Sequence, residues 1–168
     1  RAAEADFRAA LDITPKDPEI RANLAGVLSS SGKSSEAIEA LDTAIAIDPN
    51  SVERLLQLSI VLNEAGQSDR SLATSKEVLR LDPGNTHAQR LMIDLVPADE
   101  IDGFVTAMES QIANTNETPL HKVNLGFALG QHFEKTGDHK KSFEYLDLAN
   151  QTNLGQLETL PESDADKF

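Results

Sequence analysis

The chain has no cysteine, no tryptophan and a single tyrosine among 168 residues. Without cysteine there is no disulfide framework, no cysteine-ligated zinc or iron–sulfur site and no catalytic thiol. Aromatic residues make up 4%, too few for a base-stacking platform. Positive charge is also scarce: 15 Lys and Arg face 28 Asp and Glu, a formal charge of -13. Such a surface repels phosphate backbones and anionic lipid, so no nucleic acid and no membrane is expected as a partner. No apolar run reaches the roughly 18 residues that a membrane span needs. Arg1 is not an initiator methionine and no apolar signal segment follows it, so the chain is expected to be a cytoplasmic piece of a longer protein.

What the sequence does have is a period. Pro15, Pro49 and Pro83 are 34 residues apart, and so are Gly32 and Gly66, Leu24 and Leu58, Leu28 and Leu62, and Asp48 and Asp82. Residues 16–49 laid over 50–83 share eight identities in 34 columns, against roughly two by chance. Apolar residues recur at helical spacing on both sides of Gly32, so each period reads as two helices. Gly32 supplies a permissive backbone at the turn, and Ser34 is expected to cap the second helix. Asp17-Pro18 opens the first helix with a cap and a first-turn proline, and Asp48-Pro49 closes the pair. Ala25, Ala37 and Ala44 are small enough to let the two helices approach closely.

These residues resemble the tetratricopeptide repeat, a 34-residue helix–turn–helix unit. The resemblance is carried by Leu24-Ala25, Leu28, Gly32, Ala37, Leu41, Ala44 and Pro49, and again by Leu58-Ser59, Leu62, Gly66, Val78 and Pro83. It implies an all-α fold, an α-α superhelix of stacked antiparallel helix pairs. Ser71 and Ser75 depart from the family pattern, so the helix that carries them is expected to pack less well. Residues 1–15 read as the second helix of a truncated repeat, followed by repeats at 16–49 and 50–83. A degenerate repeat covers 84–115, with helices at Thr86–Leu95 and from Asp99 to about Ala113. Thr118-Pro119 opens a last repeat at 119–152, and residues 153–168 are expected to be a tail or short cap. Residues 125–150, with Leu125-Gly-Phe-Ala-Leu-Gly130, Gly137-Asp138, Phe143 and Asn150, are similar to the last repeat that precedes the catalytic domain in bacterial repeat-containing sulfotransferases.

Catalytic motifs do not assemble. Ser31-Gly32-Lys33-Ser34 invites comparison with a phosphate-binding loop, but Gly26 lies one residue too far away and the preceding run is helical. His87, His121, His132 and His139 include no pair spaced for zinc. Asp99, Glu100 and Asp102 suit an acidic first helical turn better than paired acid–base chemistry. No enzyme activity, cofactor or metal is therefore expected of this chain.

The remaining candidate is a surface. The family resemblance implies that the first helix of each pair lines a concave groove. Its groove positions fall on Glu19, Ala22, Gly26 and Ser29, on Glu53, Leu56, Ile60 and Asn63, on His87, Arg90 and Asp94, and on Asn124, Phe127, Gln131 and Glu134. The positions expected to bind are Glu53, Leu56, Ile60, Asn63, His87, Arg90, Asn124, Phe127 and Gln131. Leu56, Ile60 and Phe127 are apolar where solvent favours polar side chains, which suits a protein or peptide ligand, among them a missing C-terminal domain of the same protein. Asp at both Leu56 and Ile60 is expected to weaken the partner and leave the helices intact. The cationic clamp of the chaperone-binding family members is replaced here by Ala22, Gly26, Gln57, His87 and Leu91. Self-association is expected through the first helix, whose apolar face (Phe7, Leu11) has no first helix of its own to cover it.

Overall fold

The computed structural model describes residues 2–97 and 99–158, and among them every regular element is an α-helix. The elements are α1 (Ala2–Ile13), α2 (Pro18–Ser30), α3 (Ser34–Ile47), α4 (Val52–Glu64), α5 (Ser68–Leu81), α6 (Thr86–Leu95), α7 (Ile101–Ala113), α8 (Pro119–Thr136) and α9 (His139–Glu158). They fall into two compact units, Arg1–Leu95 and Val96–Phe168.

Helix starts follow local chemistry. Asp17 accepts from the backbone N–H groups of Glu19 at 2.9 Å and Ile20 at 3.1 Å, ahead of Pro18. Ser51 and Thr118 cap α4 and α8 in the same way. Ser34 does not act as the expected cap: it is already inside α3, and Lys33 at the cap position makes no side-chain bond to the helix. The turn itself replaces the cap. Gly32 has φ +75°, and the Lys33 N–H reaches back to the Leu28 carbonyl at 2.9 Å. One period later Gly66 has φ +75°, and the Gln67 N–H reaches Leu62 at 2.8 Å. This is the left-handed closure at a helix C-terminus that glycine adopts without a Cβ penalty, and it leaves no room for a free cap residue before the next helix.

In the Arg1–Leu95 unit, neighbours supply what each pair lacks. One buried cluster joins Leu24, Ala25 and Leu28 of α2, Ala37, Ile38, Ala40 and Leu41 of α3, and Leu58, Val61 and Leu62 of α4. Phe7 and Leu11 of α1 pack against this cluster. The α1 face expected to lack a partner is thereby half-buried within the chain. The expected weak packing around Ser71 and Ser75 divides in two: both residues are buried, and Ser71 Oγ donates to the Ser59 carbonyl at 2.7 Å, whereas Ser75 Oγ has no hydrogen-bond partner among the described residues.

Ion pairs repeat with the period. Arg8 meets Glu36 at 2.7 Å, and at the positions 34 residues on, Asp42 meets Arg70 at 3.0 Å with the signs exchanged. Each ties a second helix to the start of the next second helix. Both are solvent-exposed, so each adds at most about 1 kcal/mol.

In the Val96–Phe168 unit, α8 and α9 form a close pair. Glu109 of α7 joins them, accepting from the Tyr145 hydroxyl at 2.8 Å and pairing with Lys141 at 3.4 Å. The Tyr145 ring stacks on Phe133 with centroids 5.6 Å apart, and Lys141 lies 4.6 Å above the Phe133 ring. Partial burial, followed by the Glu109 carboxylate, pushes the Tyr145 phenol above its ordinary value near 10. The neutral phenol is the form that folding favours. Its contribution is therefore full below about pH 10 and is lost as the pH climbs through the raised value. Because Tyr145 is the one tyrosine of the chain, tyrosinate absorbance reports it directly. We expect ionisation of the folded protein to lag behind that of the urea-unfolded protein, and superimposable titrations would contradict the Glu109 contact. Helix α9 runs to Glu158 and so takes in the first residues of the expected tail or cap at 153–168, and residues 159–168 lie outside the described residues.

Candidate functional site

The arrangement of the first unit decides which face is available. Helix α2 packs against α4 and α4 against α6, whereas the backbones of α3 and α5 stay apart and are bridged by the Asp42–Arg70 ion pair. First helices therefore converge on one side of the unit and second helices spread apart on the other. The 34-residue period puts the expected groove positions of the three first helices in register. Glu19, Glu53 and His87 form one row, Ala22, Leu56 and Arg90 the next, then Gly26, Ile60 and Asp94.

Polar contacts knit α2 to α4 along this face. Gln57 Nε2 donates to the Ala22 carbonyl at 3.1 Å, and Ser29 Oγ lies 3.3 Å from Glu64 Oε2. A Cβ on Gly26 would sit 3.3 Å from Gln57 Nε2, so the missing side chain makes room for that bridge. Near the helix starts a hollow of about 280 Å³ is lined by Glu19, Ala22, Asn23, Glu53 and Arg54. Arg54 is bound to Asp48 across the inter-pair turn.

The expected groove residues do not all share one environment. Glu53, Asn63, His87 and Arg90 are exposed, and Ile60 keeps 40% of its surface in solvent. Leu56 differs: it is half-buried and packs against the cluster of Leu55, Val78 and Ala88. Asp at position 56 would therefore strike the core as well as the surface, contrary to the expectation that the helices would be spared. Asn124 and Phe127 are half-buried and Gln131 is exposed on α8, which belongs to the second unit. Asn23, Arg54 and Gln57 line or bridge the α2–α4 face and were missed in the sequence, where the Asp48 partner six residues before Arg54 was the available signal.

The rejected motifs have structural explanations. Ser31 to Lys33 form the turn between α2 and α3, where Lys33 Nζ meets Glu4 at 2.9 Å. Lys33, and then Arg8, hold the Glu4 carboxyl below its usual value. His121 Nδ1 lies 2.6 Å from Glu117 Oε2, across the start of α8. Among the described residues no three His, Asp or Glu side chains gather as a metal site, and no helix is long and apolar enough to cross a membrane.

Residues 1–59 match the model of the tetratricopeptide repeat family. A search of curated proteins gives no match. Solved structures extend the likeness over most of the chain. The structure of MamA 41-end from Desulfovibrio magneticus RS-1 has 19% identity and a TM-score of 0.67, over 91% of this chain and 85% of that one. The pilF of Pseudomonas aeruginosa has 18% identity and a TM-score of 0.63, over 87% of this chain and 65% of that one. A putative kinesin light chain from Podosopora anserina with nearly identical TPR-like repeats has 15% identity and a TM-score of 0.66, over 84% and 77%. The fold is thus that of tetratricopeptide-repeat solenoids, as the resemblance to that repeat implies.

Proposed function

We propose that the chain is a non-catalytic scaffold that binds a protein partner through its first-helix faces. In the Arg1–Leu95 unit that face carries Glu53, Leu56, Ile60, Asn63, His87 and Arg90, and in the second unit the α8 face carries Asn124, Phe127 and Gln131. The supporting observation is Ile60, an aliphatic side chain with 40% of its surface exposed. It lies within one helical turn of Gln57 and Glu64, the α4 residues that bond to α2. An apolar spot inside a polar rim is how protein interfaces are composed at their centres.

Ile60→Asp is the cleaner test, since Ile60 lies outside the buried cluster that Leu56 joins. Removing a central anchor costs about 1.4 kcal/mol or more, so partner affinity measured by biolayer interferometry should fall at least about tenfold. The far-UV circular dichroism should stay unchanged. Unchanged affinity with an intact spectrum would place the partner elsewhere.

A second reading, that the array is the accessory segment of a bacterial sulfotransferase whose catalytic domain is missing here, rests on residues 125–150. Packing accounts for the glycines of that stretch. A Cβ on Gly126 would lie 3.0 Å from Ala149 Cβ, and one on Gly130 would lie 2.6 Å from Leu146 Cγ. The run Leu125 to Gly130 is therefore explained by the contact of α8 with α9, and the scaffold reading is preferred. A parallel α/β domain with a phosphate-binding loop in the same polypeptide would reverse that preference.

A further inference from the structure

We infer that Asp102, at the start of α7, is a site of spontaneous backbone modification: it isomerises to isoaspartate through a cyclic imide formed with Gly103. Among the aspartates of the chain, Asp102 alone is followed by glycine, and no asparagine precedes a glycine. The neighbour matters because the backbone nitrogen of the next residue attacks the side-chain carboxyl carbon, and a Cβ on that residue obstructs the approach. The new nitrogen–carbon bond forms as the amide proton and the carboxyl hydroxyl leave together as water. Water then reopens the five-membered imide at one of its two carbonyls. One opening restores aspartate. The other routes the main chain through the former side-chain carboxyl, adds one carbon to the backbone path and frees the α-carboxylate, with no net change in mass. Water is the sole co-reactant.

The structure leaves this pair open to the reaction. Asp102 and Gly103 are both exposed, and nothing lies within 4 Å of where a Gly103 Cβ would stand. Gly103 belongs to the first turn of α7, whose N–H groups have no acceptor inside the helix. Glu100 at the cap position makes no side-chain bond to the helix, so the cap offers the Gly103 N–H no side-chain acceptor either. Ring closure requires the backbone at Asp102 to leave the α-helical conformation, so the first turn has to open. Little holds it. The Phe104 N–H reaches the Glu100 carbonyl only at 3.4 Å. The Thr106 hydroxyl donates to the Asp102 carbonyl at 2.8 Å, but this bond is exposed and water replaces it. The buried residues of α7, Val105 and Met108, come after this turn. The turn therefore frays while Glu109 keeps its contacts with Tyr145 and Lys141. Isoaspartate accumulates without unfolding of the unit, and α7 restarts beyond the altered link.

The test incubates the native chain at neutral pH for several weeks beside the same chain unfolded in guanidinium chloride. Isoaspartate is located by peptide mapping with electron-transfer fragmentation and counted by methyl transfer from S-adenosylmethionine with an isoaspartyl methyltransferase. It should appear at position 102 ahead of every other aspartate. Because a fraying turn opens at almost no cost, the native rate should stay within about tenfold of the unfolded rate. Asp102→Glu keeps the acidic first turn but would have to close a six-membered ring, and it should abolish the signal. Gly103→Ala should slow the reaction by about tenfold or more. A native rate further below the unfolded one would show that the first turn is held shut and would overturn the inference. Earlier accumulation at another aspartate, or a Gly103→Ala rate equal to that of the parent chain, would overturn it as well.

Discussion

Leu41→Ala is expected to lower the stability of the Arg1–Leu95 unit by about 3 kcal/mol. Leu41 has no exposed surface and sits in the cluster shared by α2, α3 and α4. Truncating a fully buried leucine loses its transfer free energy and leaves a cavity, and the measured range for such sites is about 2–5 kcal/mol. Against a domain stability of about 5–15 kcal/mol, that loss is large. In urea it should move the unfolding midpoint down by roughly 1–3 M, given slopes of about 1–3 kcal/mol/M. The distribution of the loss matters more than its size. A helix pair that leans on its neighbour should not open alone, so amide exchange should accelerate across α2, α3 and α4 together. Faster exchange limited to α3 would mean that the pairs are stable independently.

Gly126→Leu should be as damaging in the Val96–Phe168 unit, and for the opposite reason. Here the site has too little space. A Cβ at 126 would lie 3.0 Å from both Ala149 Cβ and the Tyr145 carbonyl oxygen. Neither neighbour can rotate away, because one is the methyl of the fully buried Ala149 and the other is backbone. Overpacking of this kind costs about 1–3 kcal/mol, and the further methyls of leucine put it at the upper end. Gly103→Ala is the contrasting change: nothing lies within 4 Å of its Cβ, so the gain in helix propensity should stabilise α7 by about 0.5 kcal/mol. Thermal melts of the two variants should move in opposite directions. A neutral Gly126→Leu would show that α8 and α9 are not in close contact.

The period was legible because it is dictated by backbone chemistry. A left-handed turn calls for Gly32 and Gly66, and helix ends tolerate Pro18, Pro49 and Pro83, so these positions announce the pairs without any knowledge of packing. The same rules placed α6 at Thr86–Leu95 and brought α7 to within two residues of its observed start. What the sequence concealed depends on neighbours far along the chain. Leu56 and Ile60 look alike as letters one helical turn apart, yet only Leu56 is drawn into the cluster with Val78 and Ala88. Ser34 resembles a cap until the Gly32 turn is seen to close directly onto α3. The α2–α4 face is knitted by Gln57 reaching the Ala22 carbonyl, and Arg54 reaches Asp48, two bonds that no periodic pattern encodes.

The account turns on which side of the first unit meets the partner. A photo-reactive phenylalanine analogue placed at Ile60, on the converging first helices, can be compared with one at Thr43 on α3, on the spreading side. After irradiation in the native host, position 60 should yield a defined cross-linked species and position 43 should not. Cross-linking from position 43 alone would show that the partner holds the second helices and would contradict the proposed binding face.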